Sequence, residues 1–238
     1  MGRAMVAGGN PDMQVPAAGI QAGTLSVGSV VKLMENGTAV EYLVVNQGKP
    51  SGSSLYDTSC DGTWLLRKDI YENRQWHSSN SNAYANSTIH SYLNSTFLNL
   101  FDTAEKAAIK QVKIPYVNGT SGSAVASGAN GLSAKIFLLS SDEVGFVFPV
   151  VEGAKLSYFE SGTETSANNK RIAYRNGSAT HWWLRSPDSE FTGYAVSITD
   201  RGTIDIVICS ESLGVRPALV LPKTALFDED TMILKGGA

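Results

Sequence analysis

His181-Trp182-Trp183-Leu184-Arg185-Ser186-Pro187 opens, and Gly214-Val215-Arg216-Pro217-Ala218-Leu219 closes, the stretch on which the fold turns. Two adjacent tryptophans followed by leucine are too apolar for that segment to face water on both sides. Between the two motifs the pattern alternates. Tyr194, Val196 and Ile198 alternate with Ala195, Ser197 and Thr199; Thr203, Asp205 and Val207 alternate with Ile204, Ile206 and Ile208. Asp200-Arg201-Gly202 separates the two runs as a turn, so the segment reads as a β-hairpin. With the isoleucines toward the core, Ser197, Thr199, Asp200, Arg201, Thr203, Asp205 and Val207 are expected on one displayed face, with Tyr194 beside them and Cys209 at its margin. Trp182 and Trp183 could stack on a sugar or an aromatic ligand, but at least one of them is expected in the core. Arg185 and Arg216 are read as structural cations, because a guanidinium beside a core needs carboxylate or carbonyl partners and supplies several fixed donors. Val215–Leu221 is a last strand whose Pro217 suits an edge or a bulge.

Upstream, Val30–Met34 and Glu41–Val45 are β-rich runs around Asn36-Gly37, a strong two-residue hairpin signal. Trp64–Arg67 follows the Cys60–Thr63 turn as a buried strand. Two helices are expected next. Asn86 or Ser87 caps the first, which carries Ile89, Tyr92, Leu93, Phe97 and Leu98 on one face. Asp102 with Glu105 resembles a capping box for the second, over Ala104–Val112, and Ile114-Pro115 ends it. Ser140 or Ser141 caps a short helix through Val144, and residues 152–180 read as a long irregular section. Residues 1–23, rich in Gly, Ala, Pro and Met, read as an extended arm; 24–222 as one domain; 223–238 as a tail.

The composition narrows the function. At 238 residues with a net charge of −3 and no basic cluster, nucleic acid is a poor partner. No apolar run of about 18 residues is present to span a bilayer, so no membrane insertion is expected. No signal peptide is recognisable at the start, which predicts synthesis in the cytoplasm. Two cysteines, Cys60 and Cys209, form neither a metal motif nor a disulfide framework. His77, His90 and His181 are isolated, and no nucleophile-elbow, zinc-protease or phosphate-loop pattern occurs, so an enzyme is not expected.

Taken together, the Trp182–Pro187 motif, the Asp-x-Gly hairpin and the Gly214–Leu219 motif resemble an uncharacterised domain family found in prophage structural proteins and in surface proteins of Gram-positive gut bacteria. Gly62–Leu66, Asn86–Asn94 and Ile109–Pro115 look like the same family, so the resemblance spans about residues 25–222. It implies an α+β, C-type-lectin-like fold with two helices and a small twisted mixed or antiparallel sheet. That fold is also similar to the variable proteins of diversity-generating retroelements and to formylglycine-generating enzymes. In the former, adenine-directed mutagenesis of Asn- or Tyr-type template codons cannot yield Lys, Glu, Gln, Met or Trp, and residues 191–210 contain none of these. The enzymes use paired cysteines, which nothing in the spacing of Cys60 and Cys209 suggests. Lectins of the fold often bind calcium. Asp57, Asp61, Asp188, Asp200 and Asp205 are the candidate ligands, but they show no EF-hand spacing or tight cluster, so no cofactor is expected.

The resulting expectation is a phage or prophage virion protein that recognises a host-surface protein or glycan through the hairpin face. It would assemble as a homo-oligomer whose arm contacts other virion subunits. A bacterial cell surface is the alternative location. The rival reading is a decoration or tail component that binds only other virion subunits, and an enzyme like the formylglycine-generating ones is a distant third.

Overall fold

The computed structural model describes residues 19–51, 54–119, 124–147 and 150–235. Ten strands build two five-stranded sheets. In chain order they are β1 (Val30–Glu35), β2 (Thr38–Gln47), β3 (Thr63–Arg67), β4 (Asn73–Gln75), β5 (Ile136–Phe137), β6 (Trp182–Pro187), β7 (Tyr194–Ile198), β8 (Ile204–Ile208), β9 (Ser212–Gly214) and β10 (Ala218–Leu221). One sheet has the order β5-β10-β3-β2-β1 and is antiparallel. The other has the order β8-β7-β6-β9-β4, with one parallel pair, β6–β9. Two-stranded pairs add to these, among them Ile20–Gln21 with Leu226–Phe227.

The helices are α1 (Thr88–Tyr92), α2 (Thr103–Ala108) and α3 (Thr165–Arg171). The expectation of an α+β, C-type-lectin-like fold with two helices and one small sheet is corrected here. The chain is mostly β, 33% strand against 18% helix, with three short helices and several sheets. The missing helical length has local causes. After α1 the chain widens into a π segment, Leu93–Phe97, and tightens into a 3₁₀ turn, Leu98–Leu100. Asn94 sits in that break. Its amide donates to the His90 and Ile136 carbonyls, and its Oδ1 accepts the Lys135 and Ile136 N–H groups, so the side chain serves β5 instead of a regular helix. The segment after Ser140 is a turn, closed by Ser140 N–H to Glu143 and Glu143 N–H to Ser140 Oγ. α3 falls in the section read as irregular. Its Thr-Ser-Ala-Asn-Asn sequence has little helix propensity, and burial of Ala167 and Arg171 holds it.

Other local signals carry through. Asn36 and Gly37 take φ of 47° and 76° and close β1 onto β2 with Glu35 opposite Thr38. Ser87 Oγ accepts the His90 N–H at 3.1 Å, and Asp102 Oδ1 accepts the Glu105 N–H at 2.8 Å. Glu105 Oε1 also accepts the Met34 N–H at 2.7 Å and so ties α2 to β1.

Two hydrophobic cores lie against the sheets, and β6 serves both. Trp183 enters the core that holds Trp76, Tyr84, Ile89, Leu93 and Phe97; Trp182 enters the one that holds Trp64, Phe137, Leu156 and Phe159. Every β6 residue is buried. Each indole N–H has a carbonyl partner, Trp182 with Arg171 and Trp183 with Arg74, both at 2.9 Å. At about 25 cal/mol per Å², burying an indole of roughly 200 Å² stabilises the fold by up to about 5 kcal/mol. Of the expected arm, residues 1–18 lie outside the described residues, while Ala22 is buried in the Trp183 core. Within the expected tail, Phe227 and Leu234 enter the same core.

Candidate functional site

The residues expected on one displayed face separate. Ser197 is fully buried, and its hydroxyl has no hydrogen-bond partner among the described residues. Val207 is half-buried and packs on the Trp183 core; Cys209 is buried there. Thr199 and Thr203 are half-buried and face each other, Oγ1 to Oγ1, at 2.7 Å. Tyr194, Asp200, Arg201 and Asp205 are exposed. The isoleucines do not all point inward: Ile204 packs on the Trp182 core, but Ile206 is 43% exposed. Strand period fails here because it assumes one wet face. β7 lies between β6 and β8 with a core on both sides, so Ala195 to Ile198 are all buried.

The turn is docked, not free. Gly202 has φ +76°, and a Cβ there would lie 2.0 Å from the Asn168 carbonyl oxygen of α3. Thr199 N–H donates to the Thr203 carbonyl at 2.8 Å, and Gly202 N–H to the Thr199 carbonyl at 3.0 Å. Asp200 reaches to within 3.7 Å of His181 Nε2.

At the other end of the hairpin lies a surface the alternation does not reveal. Phe191 is 59% exposed, and with Tyr194 it forms an edge-on ring pair at 5.8 Å. Tyr194 opposes Ile208, and Ile206 opposes Val196 one step along, so Tyr194, Ile206 and Ile208 share one face. The loop beneath is fixed by Asn82, 1% exposed, whose amide nitrogen donates to the carbonyls of Asp188, Phe191 and Tyr194 at 3.0–3.2 Å. Asp188, buried, accepts the Phe191 N–H at 2.9 Å. Two aromatics around a glycine, in Phe191-Thr192-Gly193-Tyr194, are the sequence signal for this surface; nothing in the sequence marks Asn82 as its clamp.

Beside the loop, a crevice lined by Val117, Val150, Ser186, Pro187, Asp188 and Ser189 has Glu152 at its floor. Glu152 belongs to a buried charge network. Arg185 grips Glu143 with both terminal nitrogens, at 2.6 and 2.8 Å, and donates to the Leu138, Pro115 and Glu152 carbonyls. Glu143 also accepts from Tyr56 at 2.8 Å. The Glu152 carboxylate accepts from Ser186 Oγ and, at 3.0 Å, from Val117 N–H. Burial pushes the Glu152 carboxyl up to about 7 against the pull of Arg185, and Asp142, whose carboxylate accepts the Glu152 N–H, up to about 6. Arg216 differs. It donates to the Arg67 carbonyl at 3.0 Å and lies 4.9 Å from the Trp182 ring, but among the described residues no carboxylate pairs with it, and burial lowers it to about 10.

The five candidate calcium ligands do not assemble. Asp57 caps Ser59, Asp61 pairs with Lys223 at 2.7 Å, Asp188 holds its own loop, and Asp205 Oδ1 accepts the Ile206 N–H at 2.9 Å. Among the described residues no three His, Cys, Asp or Glu side chains group as metal ligands. Cys60 and Cys209 sit in different cores, and burial pushes both thiols up to about 12. No helix among the described residues is long and apolar enough to cross a membrane.

Residues 61–223, more than half of the chain, match the family described as a domain of unknown function, DUF6273, and the chain belongs to that family. No curated protein and no solved structure matches it.

Proposed function

We propose that this DUF6273 protein is a ligand-binding module of a phage or prophage virion, which contacts a host-surface protein or glycan through the outer face of the β7–β8 hairpin and the 188–194 loop. The observation that supports this is the exposed trio Phe191, Tyr194 and Ile206, the first two on the 188–194 loop held by Asn82 and the third on β8 beside it. Aromatic rings give large contact area with few rotors to order, and a fixed loop loses little further freedom on binding. Copies on a particle would multiply a weak single-site affinity. The virion setting rests on the sequence resemblance alone. In this reading no catalytic residue, cofactor or metal is assigned, and homo-oligomers place several faces on one particle.

The test uses the full chain on a multivalent scaffold and its binding to Gram-positive cells. Phe191→Ala with Tyr194→Ala is expected to reduce cell binding at least tenfold with thermal unfolding unchanged. Joint replacement of Asp200, Arg201 and Thr203 at the docked turn is expected to change it little. Equal binding by the aromatic double variant and the parent, or loss only in the turn variant, overturns the placement of the face. The second reading, a decoration or tail component that binds only other virion subunits, is favoured by the edge of β8, which no strand covers among the described residues and which suits pairing with another sheet.

A further inference from the structure

The β8 edge has a specific hydrogen-bonding state. Thr199 N–H donates to the Thr203 carbonyl at one end of the hairpin, and Cys209 N–H to the Gly193 carbonyl at the other. Antiparallel alternation then makes Ser197–Asp205 and Ala195–Val207 the hydrogen-bonded pairs. The N–H and C=O groups of Ile204, Ile206 and Ile208 therefore point away from β7. Two of these six are used: Ile206 N–H by the Asp205 carboxylate, and the Ile208 carbonyl by Glu211 N–H. Among the described residues no strand pairs with this edge.

The chain segment that carries the edge is net acidic. Over residues 189–213 the exposed acids are Glu190, Asp200, Asp205 and Glu211, and the single base is Arg201. One side of the edge is apolar, with Tyr194 and Ile206 exposed; Asp205 stands on the other. A strand laid along β8 would meet apolar side chains on one face and a carboxylate on the other, with period two.

We propose that β8 receives an extended peptide segment of alternating apolar and basic residues as an added strand, with Asp205 released from the Ile206 N–H to pair with a basic side chain. This rests on the binding face proposed above and names the chemistry of its partner. Main-chain bonds supply the affinity, and alternate side chains supply the choice of partner. Until the partner arrives, Asp205 covers a donor and places a charge on the edge. Both effects oppose pairing of β8 with a second copy, whose own Asp205 would be brought close. The same carboxylate thus works against self-association and for a basic partner.

The probe is a capped hexapeptide of alternating lysine and valine, titrated into the full chain and followed by amide NMR. Saturable binding is expected, with the largest shifts at Ile204, Ile206 and Ile208. Replacing lysine by glutamate, N-methylating the peptide's ladder-forming amides, or making Asp205→Lys should each weaken binding at least fivefold. Asp205→Ala should increase self-association of the chain in sedimentation velocity. No saturation at millimolar peptide, equal binding by the N-methylated peptide, or equal binding by the glutamate peptide overturns strand addition. The N-methyl comparison leaves the protein unaltered, so it stands even where a variant misfolds. A null titration, with cell binding still lost in the Phe191→Ala, Tyr194→Ala variant, removes strand addition and leaves the binding face. Peptide binding at β8, with unchanged cell binding by that variant, retains strand addition and removes the face.

Discussion

Glu152→Gln should flatten the pH dependence of stability. In the folded chain burial raises this carboxyl from the ordinary 4.5 to about 7, so between those values the folded state holds a proton that the unfolded state has released. Stability therefore falls as pH rises through that window. The contribution is fully present below about 4.5 and gone above about 7. At about 1.4 kcal/mol per pH unit, this single group removes at most about 3 kcal/mol. Glutamine keeps the shape: its oxygen accepts the Val117 N–H, and its amide donates to Ser186 Oγ in place of the reverse bond. Asp142 shifts in the same direction and is retained, so the comparison isolates Glu152. Urea unfolding at about pH 5 and about pH 7.5 should show the parent losing about 2 kcal/mol more than the variant. Parallel stability-versus-pH curves for the two proteins would refute the burial argument.

Three further substitutions separate structural roles. Arg185→Met should cost about 3–5 kcal/mol in urea unfolding, because Glu143 is left buried without its bidentate partner, whereas Arg216→Met, which strands no carboxylate, should stay within about 1 kcal/mol of the parent. Asn82→Ala should cost about 1–3 kcal/mol by removing the amide that ties the Asp188, Phe191 and Tyr194 carbonyls together, and should also weaken cell binding if that loop carries the contact.

The local signals in this sequence were legible where one residue type answers one backbone need. Asn36-Gly37 needs only positive φ, and Ser87 and Asp102 need only a free helix N–H nearby, so each could be read without the rest of the fold. The overall class could not. Asn94 interrupts a well-patterned helix because its amide is wanted by β5, forty residues away in sequence, and α3 forms from poor helix formers because Arg171 gathers the Val144, Glu160 and Gly162 carbonyls around it. The hairpin misled for a related reason. Alternation tells which residues share a face but not whether the other face is wet. Ser197 looks like a displayed residue until β7 is known to be covered on both sides. The exposed aromatics sit in a loop whose order comes from Asn82, about a hundred residues upstream, and no pattern within the hairpin could announce that.

The sandwiching of β7 also divides the hairpin by how freely it can evolve. A new side chain at Ala195, Val196 or Ile198 must fit a filled interior, whereas one at Phe191, Tyr194, Asp205 or Ile206 sits at an exposed position. Any process that rewrites this hairpin to follow a changing target would find its usable alphabet confined to the outermost strand and one connecting loop. The recognition surface would drift over a frame that stays the same.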